Sequence, residues 1–167
     1  MPLSDSAFRA HVESMNEMNE GVILAQQRQY ADATERLEHA SVLDPQNDQA
    51  FWNLAIVHMQ MQKYDVAKED LTHAIAVNPS SGGYQEKLGE VCVQLSDWTC
   101  AQQAFDKAIQ TDPNLFKAYY ERGRVHEQLA LTEDGVTNLQ AALADYSHAI
   151  EKGPRFLEAY SSLGRLY

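Results

Sequence analysis

Residues 51–79, FWNLAIVHMQMQKYDVAKEDLTHAIAVNP, carry the pattern that decides the fold. Their first part places apolar, small and aromatic side chains at helical spacing, at Phe51, Leu54, Ala55 and His58. The segment QMQKYD interrupts this spacing, which then returns at Val66, Ala67, Leu71, Ala74 and Ile75. Pro79 ends the second pattern because proline cannot continue a helix. The stretch is therefore predicted to form two antiparallel helices joined by a short turn.

The same unit recurs along the chain. Pro45, Pro79 and Pro113 are separated by 34 residues each, and Pro154 follows 41 residues later. Small residues recur in the same register, first at Gly21, Ala55, Gly89 and Gly123 and then at Ala33, Ala67, Ala101 and Ala142. Short side chains at these positions allow two helices to approach to about 8–9 Å. One hairpin cannot bury both of its faces, so the copies are predicted to stack into an all-α solenoid.

The repeated unit resembles the tetratricopeptide repeat family. The resemblance rests on Phe51-x2-Leu54-Ala55-x2-His58 with Ala67, Leu71, Ala74 and Pro79, and on the third-copy residues Leu88, Gly89, Ala101, Phe105, Ala108 and Pro113. It covers about residues 14–167. It implies an α-solenoid of stacked antiparallel helix hairpins with about four full repeats and a fifth incomplete one. It also implies a non-enzymatic scaffold that binds a peptide or helical segment of a partner in its concave groove.

The register of the prolines predicts the repeat boundaries. We expect an N-terminal helical extension (1–13), repeat 1 (14–47), repeat 2 (48–81), repeat 3 (82–115), repeat 4 (116–156) and the first helix of an incomplete repeat 5 (157–167). The extension and the first helix of repeat 1 are expected to form one long helix from Ser4 to Gln27, capped at Ser4 or Ser6. Repeat 4 contains an insertion of seven residues, 131–137. Its turn-forming residues predict a longer and more mobile loop, and they are Thr132, Glu133, Asp134 and Gly135.

The charge and composition of the chain limit which partners and which cellular compartments are expected. The chain of 167 residues has 13 basic and 24 acidic residues, a net charge of −11 and a pI near 4.8. Such a field repels nucleic acid and anionic membrane surfaces, and the apolar runs are short. Neither a nucleic-acid partner nor direct membrane insertion is therefore expected. The first residues do not have the pattern of a signal peptide. The expected localisation is cytoplasmic, or periplasmic or outer-membrane-anchored where a signal peptide has been removed.

Histidines and carboxylates do not combine into a predicted reaction centre. His39, His73 and His148 share one repeat phase, and His58 and His126 share another. Residues in one phase lie about one repeat apart, too far to share a metal ion. The sequence has no Cys-x2-Cys pair, no glycine-rich phosphate loop and no Gly-x-Ser-x-Gly motif. We therefore expect no enzymatic activity, no metal and no cofactor, and interpret the histidines as solvated or packed.

The two cysteines, Cys92 and Cys100, lie in CVQLSDWTC, which spans the turn of the third hairpin. One alternative is two small buried thiols, since free cysteine is among the most buried residue types. The other is a disulfide, which requires Cα atoms within about 7 Å. A disulfide would indicate an oxidising compartment.

In the family that the chain resembles, the inner side of each repeat's first helix lines the groove. The expected partner-binding residues are Met15, Met18, Val22, Trp52, Ile56 and Met59 in the N-terminal half and Lys87, Lys117, Tyr120 and Arg124 in the C-terminal half. An apolar anchor of the ligand is expected near Trp52, and an acidic group near Lys117 or Arg124. The alternative is that Trp52 and the methionines pack within the protein, and that the basic residues pair with neighbouring glutamates such as Glu86 and Glu90.

The expected partner is a protein or peptide, and two functional interpretations stay open. The first is a peptide-binding or helix-binding scaffold. The alternative is an assembly or export chaperone similar to the lipoprotein pilotins of outer-membrane secretins. The carboxylate clamp that some members of the family use fits poorly, because Met18 and Val22 occupy the first-repeat places of its Lys and Asn. Asn53 and Lys87 match two later places of that clamp.

The C-terminal segment carries a further apolar stripe. Tyr160, Leu163 and Tyr167 recur on one side of the last predicted helix, which has no second helix of its own repeat. An uncovered apolar stripe predicts a continuing chain or self-association through this end.

Overall fold

The computed structural model describes residues 5–132 and 134–166 of the chain. Within these residues the secondary structure is entirely helical, with turns between the helices. The helices are α1 (Asp5–Gln26), α2 (Tyr30–Leu43), α3 (Asp48–Gln60), α4 (Tyr64–Val77), α5 (Gly82–Gln94), α6 (Trp98–Thr111), α7 (Phe116–Leu129), α8 (Gly135–Lys152) and α9 (Leu157–Leu166). The predicted all-α fold of paired helices is confirmed.

The chain divides into two compact units. Unit 1 (Met1–Pro79) contains α1 to α4, and unit 2 (Ser80–Tyr167) contains α5 to α9. In unit 1, α1 packs on α2, α2 on α3 and α3 on α4. In unit 2 the same order holds from α5 to α9. Each unit therefore stacks its helix pairs in chain order, as repeat architectures do.

Three turns repeat the same backbone conformation at the 34-residue period. Arg28, Gln62 and Ser96 have φ values of 62°, 58° and 57°, in the left-handed region that non-glycine residues rarely adopt. They occupy the middle of the turns 27–29, 61–63 and 95–97, which join the two helices of the first three hairpins. The backbone therefore has the same periodicity as the side-chain pattern.

The insertion in repeat 4 mainly lengthens the helices of this repeat. α7 ends at Leu129 and α8 begins at Gly135, so residues 135–137 are helical rather than part of a loop. The α8 helix has 18 residues where α4 and α6 have 14. Asp134 caps it by accepting a hydrogen bond from the Thr137 backbone N at 3.2 Å. The predicted loop is thus shortened at its C-terminal side, while Glu133 lies outside the described residues. The mobility of the turn stays a prediction.

Helix α1 is a single long helix of 22 residues, as the sequence predicts. It begins at Asp5, so Ser6 lies inside the first turn and is not the residue before the helix. Ser4, the other candidate cap, lies outside the described residues.

Small residues stand where neighbouring helices approach closely. A Cβ atom added at Gly21 would lie 2.7 Å from Leu37 Cγ, and one at Gly89 would lie 2.5 Å from Phe105 Cε1. Leu37 and Phe105 are fully buried. These two glycines therefore make room for a fully buried apolar side chain of the following helix.

Cys92 and Cys100 are joined by a disulfide, with their Cα atoms 5.8 Å apart. Cys92 is fully buried in the core of unit 2, and Cys100 is half-buried in the first turn of α6. Of the two alternatives left open by the sequence, the structure has the disulfide. The pair links α5 to α6 next to the turn between them.

Arg122 is a charged residue at a repeat position that is apolar in repeats 2 and 3. It stands at the repeat position that Leu54 and Leu88 occupy in the preceding copies. Its guanidinium donates two hydrogen bonds to Asp145, at 2.9 and 2.6 Å, and one to Asp106 at 2.6 Å. Burial opposes the charge of Arg122, but the bonds to Asp145 and Asp106 outweigh it and raise the pKa of the guanidinium. An ion cluster therefore joins α6, α7 and α8 where other copies use leucine.

Candidate functional site

Unit 1 contains a cleft of about 320 Å³ between α1, α2 and α3. The lining residues are Val22, Ala25, Gln26, Tyr30, Leu37, Asn53, Ile56, Val57 and Gln60. Apolar side chains and three carboxamides make up most of this surface, and none of the described lining residues is charged. The volume lies in the range of small-ligand sites.

Of the partner-binding residues expected in the N-terminal half, some line the cleft and others belong to the core. Val22 and Ile56 line the cleft. Met18 is only 5% exposed and belongs to the core, which is the packed alternative stated for the methionines. Met15 packs against the same core and lies 3.8 Å, through its Sδ, from the Asn47 side-chain nitrogen. The burial follows from the close contact between α1 and α2, which covers this side of α1.

Trp52 and Met59 are half-buried on α3 but do not line the cleft. Phe51, beside Trp52, packs against the core of unit 1 and stacks on the His73 ring at a centroid distance of 5.3 Å. Trp52 lies one helical turn before Ile56 on the same side of α3, and of these two residues only Ile56 lines the cleft.

Three carboxamide residues of the cleft were missed by the sequence analysis as binding residues. Gln26 lies on α1, and Asn53 and Gln60 lie on α3. The spacing Asn53, Ile56, Gln60 places these three side chains on one face of α3, which is a signal that the sequence contains. Asn53 had been noted only as one matching place of a clamp that otherwise fits poorly.

A buried polar network holds α1 on the rest of unit 1. The Ser14 hydroxyl donates to the Ala40 carbonyl at 2.8 Å, and the Asn47 amide donates to the Ser14 hydroxyl at 3.0 Å. The Asn47 side-chain oxygen accepts from the Ala50 backbone N at 3.2 Å. All of these polar groups are buried, so breaking any one leaves an unpaired group behind. The cleft wall formed by α1 is thus attached at the turn between α2 and α3.

Charged groups on the outside of α1 add to this attachment. Arg36 Nη1 donates to Glu17 Oε2 at 3.0 Å, and this hydrogen bond lowers the pKa of Glu17. His39 Nδ1 lies 3.3 Å from the other oxygen of Glu17. Glu17 stands at the repeat position that Phe51 and Tyr119 occupy in later copies, and it is held there by its pairing with α2.

The first-helix face of unit 2 is charged. Lys87 Nζ lies 2.5 Å from Glu90 Oε2, and Arg124 Nη1 lies 2.9 Å from Glu121 Oε2. Both basic residues therefore pair with neighbouring glutamates, which is the alternative stated for this half of the groove, and their part in partner binding stays a prediction. Lys117 is exposed at the start of α7.

Two carboxyl groups on this face are partly withdrawn from water. Burial raises the pKa of Glu86, and the nearby Glu90 carboxylate raises it further. Burial likewise raises the pKa of Glu121, although Arg124 opposes the shift. The face therefore holds glutamates whose negative charge is disfavoured by their surroundings.

Tyr120 joins an aromatic cluster rather than an open surface. Its ring centroid lies 4.9 Å from that of Phe156 and 5.6 Å from that of Tyr146. Phe116 completes the cluster by packing against Phe156 at 5.2 Å. Tyr120 is half-buried there, so most of its ring is engaged by the α8–α9 side of unit 2.

The histidines are placed as packed or exposed side chains. His58 is buried and its Nδ1 lies 2.6 Å from Asp70 Oδ2, and burial raises the pKa of Asp70. His39, His73 and His148 are exposed. Among the described residues, no group of three or more His, Cys, Asp or Glu side chains is arranged to hold a metal ion.

The C-terminal stripe is partly covered. Tyr160 is 45% exposed and Leu163 is half-buried, while Tyr167 lies outside the described residues. Arg165 Nη2 reaches back to both oxygens of Glu127 on α7, at 2.8 and 2.9 Å. Self-association through this end stays a prediction. In the part of the chain that the structure describes, no helix has the length and apolar character needed to cross a membrane.

A family model described as tetratricopeptide repeat matches residues 24–91, across α2, α3 and α4 of unit 1 and most of α5 of unit 2. Residues 24–91 are therefore tetratricopeptide repeat sequence. The resemblance stated from the sequence is therefore confirmed. No curated protein sequence matches this tetratricopeptide repeat chain.

Solved structures share the tetratricopeptide repeat fold over most of the chain. A crystal structure of MamA matches with a TM-score of 0.84 and 21% identity, over 93% of this chain and 81% of that one. YrrB, described as a TPR protein with an unusual peptide-binding site, matches with a TM-score of 0.75 and 22% identity, over 98% and 82% of the two chains. The first TPR of Spaghetti (RPAP3), bound to the HSP90 peptide SRMEEVD, matches with a TM-score of 0.69 and 22% identity, over 72% and 95%. At these identities the similarity shows the fold.

Proposed function

We propose that this tetratricopeptide repeat protein is a non-enzymatic scaffold that binds a peptide or helical segment of a partner protein. The observation that carries the proposal is the uncharged cleft of about 320 Å³ on the first-helix side of unit 1. It is built from α1 and α3, the first helices of two successive repeats, with α2 residues completing the wall. An apolar cleft with a few polar groups is the usual form of a specific binding site.

The similar structures support the peptide-binding part of the proposal. YrrB is described as having a peptide-binding site, and the Spaghetti domain is bound to an HSP90 peptide. The polar network of Ser14 and Asn47 supports a cleft that exists before the partner arrives. A preformed site avoids part of the entropy that ordering would cost on binding.

The paired charges of unit 2 form the second candidate surface. Lys87 and Arg124 are paired with glutamates, and Lys117 is exposed nearby on α7. We propose that this face contributes selectivity and salt sensitivity rather than the main apolar anchor, because rim charges act mostly on the association rate.

Site-specific photocrosslinking in living cells tests the scaffold function. p-Benzoylphenylalanine is introduced at Gln60, an exposed residue at the cleft, and separately at Val42, which is 74% exposed on α2 and does not line the cleft. We expect Gln60 to crosslink to a discrete protein partner and Val42 to give none. Equal crosslinking at both positions, or none at Gln60, would contradict the assignment.

The same experiment separates the scaffold from the assembly-chaperone alternative. A secretin or pilus subunit captured at Gln60 would favour the chaperone, whereas a protein outside such assemblies would favour a general scaffold. Both functions use the same cleft, so the identity of the partner is the observable that differs.

A further inference from the structure

We infer, on the basis of the proposed function, that the unit 1 cleft takes about three residues of an extended peptide whose central side chain is aliphatic and uncharged. The backbone of this peptide is held between the carboxamides of Asn53 and Gln60. The inference rests on the charge of the lining, on the spacing of the carboxamides and on the state of their hydrogen bonds.

The lining selects against a charged anchor. Val22, Ala25 and Ile56 supply an apolar surface, and the described lining residues carry no charge that would pair with a ligand. A carboxylate or ammonium group placed there loses hydration without gaining an ion partner, which is strongly unfavourable. A leucine, isoleucine or methionine side chain gains from the same burial.

The spacing of the carboxamides sets the length of the bound segment. Asn53 and Gln60 are seven residues apart on α3, with Ile56 and Val57 between them. A helix rises 1.5 Å per residue, so the two side chains lie about 10 Å apart along the helix axis. An extended peptide advances about 3.3 Å per residue. Three residues therefore span the distance, and the central side chain meets Ile56, which is half-buried at the cleft.

The hydrogen bonding of the cleft carboxamides favours an extended peptide over a helical one. Within residues 5–132 and 134–166, the side chains of Gln26, Asn53 and Gln60 have no hydrogen-bond partner. A carboxamide both donates and accepts, which suits the N–H and C=O groups of an extended backbone. A helix has already satisfied its own backbone groups, so it offers these side chains little.

Nuclear magnetic resonance of the full chain with blocked tripeptides tests the inference. The probes are acetyl-Ala-X-Ala-amide with X as Leu, Ala, Asp or Lys, and the Leu probe with a methyl group on the central backbone nitrogen. We expect the Leu probe to shift the side-chain amide signals of Asn53 and Gln60. Its affinity is expected to be about tenfold higher than that of the Ala probe, from the added apolar burial. The Asp, Lys and N-methylated probes are expected to bind at least about tenfold more weakly than the Leu probe.

A matched pair of variants locates the binding. Val22→Glu puts a charge into the cleft, while Ile23→Glu puts the same charge on the next residue, which is 52% exposed and does not line the cleft. We expect Val22→Glu to abolish the shifts caused by the Leu probe and Ile23→Glu to retain them. If Val22→Glu does not fold, the probe series on the unaltered chain still decides the question.

The outcomes distinguish this inference from the proposed function. Preference for the Asp or Lys probe, full binding of the N-methylated probe, or tighter binding of a stapled helical peptide carrying the same leucine would overturn it. Absence of any shift with the Leu probe would also overturn it. If Gln60 nevertheless crosslinks to a partner in cells, the scaffold function stands and only the anchor is wrong. If neither experiment detects binding, both proposals fail.

Discussion

The first-helix faces of the two units are built on the same repeat but differ in chemistry. In unit 1, α1 and α3 present an uncharged cleft with carboxamides at Gln26, Asn53 and Gln60. In unit 2, α5 and α7 present ion pairs, Lys87 with Glu90 and Arg124 with Glu121. The helix pairs and three of the turns follow one pattern across both units. Backbone periodicity therefore does not determine the chemistry of a face.

The cores of the two units differ in the same way. Unit 1 has Leu54 where unit 2 has Arg122, and Arg122 is held by Asp145 and Asp106. A buried leucine stabilises the fold because its apolar surface is removed from water. A half-buried arginine destabilises the fold unless its charge is paired with carboxylates. Unit 2 is thus expected to be more sensitive to loss of a single polar partner. It is also the unit that contains the disulfide.

The largest predicted effect is the loss of Asp145. Its side chain is 4% exposed and accepts two hydrogen bonds from Arg122, so Asp145→Ala leaves the Arg122 charge with only the exposed Asp106. We expect the free energy of unfolding of unit 2 to fall by about 3 kcal/mol. Urea denaturation measures the change, and hydrogen exchange shows whether it is confined to α6, α7 and α8.

Asp106→Ala is the matched control for that prediction. The Asp106 side chain is 52% exposed and makes the other ion pair of Arg122, at 2.6 Å. We expect a loss below about 1 kcal/mol, because exposed ion pairs contribute little. Equal losses in the two variants would show that burial of Asp145 is not what makes the cluster important.

Reduction of the disulfide gives the next largest effect. The bond between Cys92 and Cys100 closes a short loop, with a sequence separation of 8, in the unfolded chain. Opening it is expected to lower the free energy of unfolding of unit 2 by about 2 kcal/mol, and unit 1 contains no cysteine. Denaturation with and without reductant measures the loss. Intact mass after alkylation of the unfolded, unreduced protein provides the check, since uptake of two alkyl groups would show that the bond is absent.

Partner binding gives the third test, through two residues of α3. Ile56 lines the cleft and Trp52 does not, although the sequence analysis places the apolar anchor near Trp52. We expect Ile56→Ala to weaken binding of the captured partner by about tenfold, because apolar contact area is lost. Trp52→Ala is expected to have a smaller effect. Calorimetry with the partner measures both, and a larger loss in Trp52→Ala would move the binding surface one helical turn towards the start of α3.

The sequence predicts the architecture well because the fold depends on periodic features. The spacing of Pro45, Pro79 and Pro113 and the small residues at Gly21 and Gly89 are direct consequences of helix pairing. Those residues act through steric fit with their nearest neighbours in the helix pair. Their spacing along the sequence is therefore enough to predict the pairing. The helices of all the hairpins follow that pattern in the described residues.

The candidate site is less predictable because it depends on which side of a helix is covered. Met18 and Val22 lie four residues apart on α1, yet Met18 is core and Val22 lines the cleft. The difference arises from how far α2 and α3 extend over α1, which periodicity does not give. Lys87 and Arg124 were similarly assigned by position, while their pairing with Glu90 and Glu121 depends on side-chain conformation.

The smallest predicted effect concerns the glutamates on the first-helix face of unit 2. Burial raises the pKa of Glu86 and of Glu121 above the ordinary value of 4.5. A folded-state pKa above the unfolded one means that the folded state binds the proton more tightly. The stabilisation is therefore complete below about pH 4.5 and is lost as the pH rises through the raised values.

Glu86→Gln removes one of these titrating groups without changing its size. We expect the variant to be more stable than the parent at pH 7 by less than about 1 kcal/mol, since the group is only partly buried and lies near Lys87 and Lys117. At pH 4 the two proteins are expected to have similar free energies of unfolding, because the parent is then largely protonated. Carboxyl carbon resonances followed from pH 3 to 8 measure both pKa values directly. Values at or below 4.5 would contradict the contrast between a charged, partly desolvated face in unit 2 and an uncharged cleft in unit 1.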